Sequence, residues 1–378
     1  MSKNYLLAVA TLMGMIIGVG LFAIPFITTI SGVLPLIFYM VVLAIVQNYL
    51  HLLYAEIVLS TKTTHRMPGY VEKYNGRLGK FFTLIITIFS DYGSILAYII
   101  VGGLFLHQLL NPIFGGSLVF YASILFLLEV LIVYFGIKLI AGTEFIMTAL
   151  LILIIGLISW KGLGYIKLDN YVLVNWQHMF LPYGPIFFAV SGMAAIPEVC
   201  KLLSKEKKKI KSAIALGTYL SAALMLIFIL VIVGISGDST TPDTLSGLGQ
   251  IFGPGIVNIA LAFGLLAVIT SIICTTQASR EVFWWDLKLN KNLSLVLAGI
   301  IPFLAYLFGV RNITQVVSLT GAVSGGILGI VVIYLVFKIK QKCECDSVIK
   351  NKITGLTGFG LSLLFILGLI YEVWATLK

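Results

Sequence analysis

Charged residues are scarce in this chain: Asp, Glu, Lys and Arg make up 11% of its 378 residues, against roughly 25% in a soluble domain. That scarcity excludes an ordinary soluble enzyme. Cysteine is nearly missing as well. Cys200, Cys274, Cys343 and Cys345 are the only four, none in a segment placed on the outer face below, so no disulfide framework is expected. Cys343-x-Cys345 has no second pair or nearby His to complete a zinc site, and neither a metal nor a cofactor is expected. No small-residue cleavage site precedes Pro25, so the first apolar stretch reads as a retained helix rather than a signal peptide.

What is abundant is apolar surface, with 60% of residues hydrophobic. Eleven long apolar segments stand out, at approximately 5–30, 34–60, 81–110, 118–137, 140–160, 179–200, 212–235, 255–277, 292–309, 313–337 and 355–376. A bilayer crossing takes about 20 mostly apolar residues. In lipid the backbone satisfies its own hydrogen bonds, so continuous apolar runs mean helices, whereas barrel strands would alternate. The expectation is an all-α polytopic membrane protein, one domain over 1–378 with no room for a second. Ser279–Leu289, which mixes Phe283, Trp284 and Trp285 with charge, is expected as an interfacial helix.

The formal charge of +10 would suggest an anionic partner in a soluble chain. Its distribution points elsewhere. With the N-terminus inside, 21 of the 25 Lys and Arg fall on the cytoplasmic side, and only Lys161, Lys167, Arg311 and Lys378 lie opposite. Cytoplasmic loops accumulate these residues, so the reading is a cell-membrane protein with its N-terminus cytoplasmic and its C-terminus extracytoplasmic. The lipid bilayer is an expected partner and nucleic acid is not.

The first segment holds Gly14, Gly18, Gly20 and Pro25. In an ordinary helix interior Gly costs about 1 kcal/mol and Pro about 3. Close helix packing explains Gly14 and Gly18 taken alone. The sixth segment repeats Gly-x-x-Ala-Ile-Pro at Gly192–Pro197, 172 residues after Gly20–Pro25. The second copy starts five helices after the first, so the two run oppositely through the membrane, over approximate repeats 5–160 and 179–337. Matching Gly/Pro-interrupted helices in inverted repeats point to a transporter's central site. Where each helix unwinds, its N–H and C=O groups need other partners. Amides from Gly20 onward suit a carboxylate, and carbonyls near Ile17 and Val190 suit an ammonium. With no side-chain charge at either break, the pattern favours an amino acid over a sugar or a phosphorylated anion.

These residues resemble the amino acid/auxin permease branch of the amino acid–polyamine–organocation superfamily, close to its aromatic and hydroxy amino acid permeases. Gly-x-x-Ile-Gly-x-Gly-x-x-x-x-Pro over Gly14–Pro25 is similar to that family's first helix. Pro182-Tyr183-Gly184 through Ser191-Gly192 to Pro197-Glu198 is similar to its sixth. Gly93–Gly103 and Leu266–Ser271 resemble its third and eighth. The resemblance implies a LeuT-like fold of five helices plus five inverted, an extra eleventh helix, and import of an amino acid with an ion.

Candidate substrate-binding residues are therefore Ile17, Gly18, Gly20, Leu21, Phe22, Tyr98, Phe187, Val190, Ser191, Gly192 and Met193, with Phe188 beside them. Phe22, Tyr98, Phe187, Phe188 and Met193 would set side-chain size; packing filler is the alternative. Ion-coupling candidates are the intramembrane acids Asp91 and Glu129 and the adjacent hydroxyls Thr270 and Ser271, where sodium-coupled relatives supply oxygen ligands. The alternatives are static hydrogen-bonded acids and hydroxyls bonded to the preceding turn. A proton is favoured slightly over sodium. Glu56, Glu144 and Glu198 are expected to pair with loop lysines, Glu198 being also a candidate for an inner gate.

Competing classes fare less well. A sensor of the same architecture would be expected to carry a long cytoplasmic tail or domain. An intramembrane enzyme would need a catalytic constellation, and His51, His65, His107 and His178 are read as lying near helix ends or in loops. A metal-ion transporter would need ligands at both breaks, where only Met193 stands. Ser318, Gly321, Ser324, Gly325 and Gly329 of the tenth segment read as a helix-packing surface.

Overall fold

The computed structural model describes residues 2–61, 63–135, 140–342 and 354–377. Cys343 and Cys345 lie outside these residues, as do Lys62, Lys138, Lys350, Lys352 and Lys378 of the charge pattern. The described chain is all-α, with α1 (Lys3–Ile16), α2 (Gly20–Ser31), α3 (Val33–Ser60), α4 (Met67–Phe114), α5 (Leu118–Phe135), α6 (Ile140–Gly162), α7 (Tyr183–Ala189), α8 (Ile196–Leu202), α9 (Ile210–Ser236), α10 (Gly249–Glu281), α11 (Lys291–Leu307), α12 (Ile313–Leu319), α13 (Gly326–Lys342) and α14 (Gly355–Leu377).

Each expected apolar segment corresponds to helix. Among the described residues nine helices are long and apolar enough to cross a membrane, and α1 with α2, bent by 48°, makes a tenth. The remaining segment, 292–309, is α11, apolar but 17 residues long. At 1.5 Å per residue it reaches about 25 Å, short of a hydrocarbon core of about 30 Å. The third segment is instead overlong. Its helix α4 has 48 residues because a stretch beginning at Met67 joins it across a kink at Gly76, φ 79°.

The segment Ser279–Leu289 departs from expectation. It does not form a separate interfacial helix; α10 runs to Glu281 and passes into a π-helical turn over Val282–Asp286. Arg280 and Asp286 are buried because each finds backbone partners. Arg280 Nη1 donates to Val133 O at 2.8 Å, and Asp286 accepts from Gly69 N–H at 3.0 Å.

Ends of helices are tied across the bundle, which fixes which loops share a face. Ser2 Oγ donates to Glu206 Oε2 at 3.0 Å, so the N-terminus sits beside the Lys-rich loop after α8. Hydrogen bonds from Lys209 and Ser2 hold the Glu206 carboxyl below its usual range. On the opposite face, Tyr171 Oη and Asn170 Nδ2 donate to Leu230 O (3.0 Å) and Gly234 O (2.8 Å) near the end of α9. The same loop crosses the α2–α3 junction, where Val33 N donates to Val172 O at 2.9 Å. Gly32 is required there: its φ is 101°, and a Cβ would stand 2.7 Å from Leu173 O.

Candidate functional site

Both expected breaks are present. The first helix stops at Ile16 and restarts at Gly20. Between them Gly18 N bonds back to Ile16 O at 3.0 Å and Leu21 N to Gly18 O at 3.1 Å, so the ladder tightens and skips. In the sixth segment α7 stops at Ala189, Ser191 and Gly192 are non-helical, and a 3₁₀ turn over Met193–Ala195 leads into α8. Pro197 falls in the first turn of α8, where its missing N–H costs nothing. Among the described residues, the amides of Val19, Gly20, Met193 and Ala194 meet no backbone acceptor, and the carbonyls of Ile17 and Val190 meet no backbone donor.

The glycines bring the breaks together. A Cβ on Gly20 would collide with the Cβ of Ala189 and stand 2.7 Å from its Cα; on Gly18 it would stand 3.0 Å from Tyr98 Oη and 3.2 Å from Ser271 Oγ. A cavity of about 120 Å³ lies between them. Its walls include Gly18 and Gly20, then Phe187, Phe188, Ser191 and Met193 of the sixth segment, and Asp91 and Tyr98 of α4. Thr320, Gly321 and Gly325 close it from the tenth segment, which opens into a π-helical turn over Thr320–Gly325. That segment's small residues also pack, Gly321 on Gly184 and Gly329 on Phe365 of α14.

A second cavity of about 380 Å³ lies alongside, between α1, α6, α8 and α10. Ile17, Thr270 and Ser271 line this one, with Glu198, which sits 3.6 Å from Lys201. Thr270 Oγ1 donates to Ala267 O of its own helix at 2.9 Å, while Ser271 Oγ reaches across to Gly14 O at 3.1 Å. Met15, Arg66 and Ala194 border both cavities.

The remaining candidates stand behind these walls. Leu21, Val190 and Gly192 are buried but line neither cavity. Phe22 turns into an aromatic cluster, its ring 5.0 Å from Phe105 and 6.4 Å from Phe228, both edge-on. Its carbonyl accepts from Thr244 Oγ1 at 2.6 Å. The two acids, alike in the sequence, part here. Asp91 faces the smaller cavity, whereas Glu129 lies between α5 and α10, its Oε1 accepting from Thr276 Oγ1 and its Oε2 without a partner among the described residues.

Three residues given no role in the site by the sequence belong to this region. Arg66, at the N-terminus of α4, donates through Nε and Nη2 to Glu281 Oε2 at 2.8 and 2.6 Å and through Nη1 to Ala194 O at 2.8 Å. It thereby ties the end of α10 to the turn that follows the sixth-segment break. Gln47 borders the smaller cavity. His51, expected near a helix end, is in the body of α3 and fully buried. The overlooked signal was the cluster of polar residues Gln47, Asn48 and His51 inside an apolar span.

Comparison with known proteins places this geometry. The model of the tryptophan/tyrosine permease family matches residues 1–375. The chain is 24% identical over 321 residues to the tyrosine-specific transport system 1 of Haemophilus influenzae, covering 78% of this chain and 77% of that protein. Among solved structures it resembles MhsT in complex with L-phenylalanine, with a TM-score of 0.73, 15% identity and coverage of 99% and 98% of the two chains. It also resembles Mhp1, a nucleobase-cation-symport-1 family transporter in a closed conformation with bromovinylhydantoin bound, with a TM-score of 0.66, 15% identity and coverage of 98% and 90%. The fold is thus LeuT-like.

Proposed function

Since the chain belongs to the tryptophan/tyrosine permease family, we propose that it is a secondary transporter that carries an aromatic amino acid across the cell membrane. The observation that carries this reading is the juxtaposition of two helix breaks, Ile17–Val19 and Val190–Gly192, with the freed amides of Val19, Gly20, Met193 and Ala194 on residues that line an aromatic-walled cavity and Ile17 on the wall of the cavity alongside. A zwitterion supplies both partners: its carboxylate meets the amide end of α2 and its ammonium the carbonyl of Ile17, on the wall of the adjoining cavity. Gly18 and Gly20 keep side chains out of the way, and Tyr98, Phe187, Phe188 and Met193 form the wall for the ring. The transport named for the Haemophilus influenzae relative and the L-phenylalanine bound by MhsT support this substrate class. The motif over Gly14–Pro25 supports placing the family in the amino acid/auxin permease branch.

The coupling ion is a proton and Asp91 its carrier, because it is the intramembrane acid that shares the cavity with the breaks. A cation held by Gly14 O and the hydroxyls of Thr270 and Ser271 would instead favour sodium. Import proceeds by alternating access, with the N-terminus cytoplasmic. The larger cavity, edged by Glu198 and the exposed Lys201, is the path on the Lys-rich side, which supports an inward-facing arrangement. Uptake of labelled tyrosine, tryptophan and phenylalanine into proteoliposomes under imposed proton or sodium gradients tests this. Accumulation under a proton gradient is expected; binding without accumulation under either gradient would overturn transport.

A further inference from the structure

We propose that His51, together with Gln47 one turn earlier, is the positioning element that holds the sixth-segment break in its binding geometry. The inference rests on the reading of the breaks as the substrate site. Apart from Asn48 and the tyrosines Tyr49 and Tyr54, the rest of the middle of α3 is apolar, and a polar side chain buried in a membrane helix is costly unless it has partners. Gln47 is 1% exposed and His51 0%. Four residues apart, they share one helical face, and that face meets the break. Gln47 Nε2 donates to Phe187 O at 3.3 Å, in the last turn of α7 before the break. His51 Nε2 accepts from Gly192 N–H at 2.9 Å, at its far end. One carbonyl and one amide that flank the interruption are therefore satisfied from a single neighbouring helix.

The chemistry fixes the state of the imidazole. A ring nitrogen that accepts from an amide carries no proton, so the proton of the neutral ring sits on Nδ1. Nδ1 lies 3.1 Å from Thr218 Oγ1 on α9, itself fully buried, and donates to it. An imidazolium would set two donors against each other at Gly192. The Gln47 amide is oriented by the same logic, since the Phe187 carbonyl accepts only. On its other side Gly192 is boxed by α1: a Cβ would stand 2.6 Å from Leu12 Cδ1 and 2.9 Å from Ile16 Cγ1. The Gly192 peptide is pinned between α1 and α3, which sets the direction of the free Val190 carbonyl before it and the free Met193 and Ala194 amides after it.

The test uses the full chain in detergent, with equilibrium binding of L-tyrosine and L-tryptophan and transport kinetics for wild type and variants. His51→Phe keeps the volume and removes the acceptor; it should raise Kd by at least about tenfold, the scale of one lost buried hydrogen bond, and raise KM more than it lowers kcat. His51→Gln brings an acceptor to the place of Nε2 and should hold Kd within about threefold, rescue that volume alone does not give. Wild-type affinity in His51→Phe overturns the proposal, as does a loss in His51→Gln equal to that in His51→Phe. If His51→Phe fails to fold, nitrogen NMR of labelled histidine in the wild type decides instead. A protonated Nδ1 and bare Nε2 at neutral pH support the proposal, and the opposite tautomer or an imidazolium overturns it. That spectrum needs no substrate, so it separates failure of this proposal from failure of the transport reading, which wild-type binding reports.

Discussion

Gly20 lies against Ala189 so closely that a Cβ on the glycine would stand 2.7 Å from the alanine Cα. The two residues bound the two helix interruptions, so the first and sixth segments meet backbone to backbone where their ladders are broken. A small zwitterion bridging them needs no charged protein side chain, in keeping with the absence of one from Ile17–Val19 and Val190–Gly192.

The contact predicts a reciprocal rescue. Gly20→Ala should reduce uptake by at least about tenfold and destabilise the fold by about 1–3 kcal/mol, the cost of overpacking. Adding Ala189→Gly should restore part of both. Transport and thermal unfolding of the single and double variants check this; equal uptake in Gly20→Ala and wild type would remove the close contact from the mechanism.

Asp91 and Glu129 should separate in function. Asp91→Asn, at the cavity beside Arg66, Ser90 and Ser94, is expected to abolish accumulation under a proton gradient while substrate exchange persists. Glu129→Gln, away from both cavities, should retain gradient-driven uptake within about threefold, because Thr276 can still bond a neutral amide. Gradient-driven uptake against counterflow distinguishes them.

Arg66 and Glu281 form a pair with both side chains 8% exposed. Removing one partner leaves a buried charge unpaired, typically a loss of about 3–5 kcal/mol. Arg66→Met and Glu281→Met should each lower the unfolding temperature sharply. The double variant should recover much of it, yet transport more slowly, since the tie to Ala194 O is also gone. Thermal unfolding and initial uptake rates measure both effects.

Thr244 adopts φ 67° while fully buried and donates to Phe22 O. A β-branched residue there is strained, by about 1–3 kcal/mol, and the hydrogen bond offsets the strain. Thr244→Val keeps the strain and loses the bond, so it should cost about 1–2 kcal/mol and slow uptake several-fold. Thr244→Asn tolerates the backbone and offers a donor, and should transport near the wild-type rate. Side-by-side uptake of the two variants is the check.

How much of this was legible in the sequence follows from the range of each interaction. The breaks were legible because their causes are local: Gly14–Pro25 and Gly192–Pro197 carry the residues that interrupt a helix, and the structure interrupts both at Ile17–Val19 and Val190–Gly192. Hydropathy alone located every apolar helix, but ten of the expected eleven are long enough to cross, and α11 falls short. The partners of Gln47, His51 and Arg66 lie 128 to 215 residues away, and no local pattern announces them. Hydropathy averages treat Gln47 and His51 as small defects in an apolar run, although such defects are where a membrane helix holds another's free backbone. Depth along a helix placed Asp91 and Glu129 equally, whereas the azimuth that separates them depends on packing. The same limit applied to Ser279–Leu289, whose mixed composition fitted an interfacial helix until Gly69 and Val133 supplied buried partners for Asp286 and Arg280.

The central claim, that freed backbone groups at the two breaks read both ends of an aromatic amino acid, is tested most directly by competition against labelled tyrosine binding. Unlabelled tyrosine competes in parallel with tyramine, which lacks the carboxylate, and 3-(4-hydroxyphenyl)propionate, which lacks the ammonium. Each analogue should bind at least about a hundredfold more weakly than tyrosine, since charge-assisted bonds at either end are worth about 1.5–3 kcal/mol or more. Competition by either analogue at the concentration that suffices for tyrosine would contradict the account.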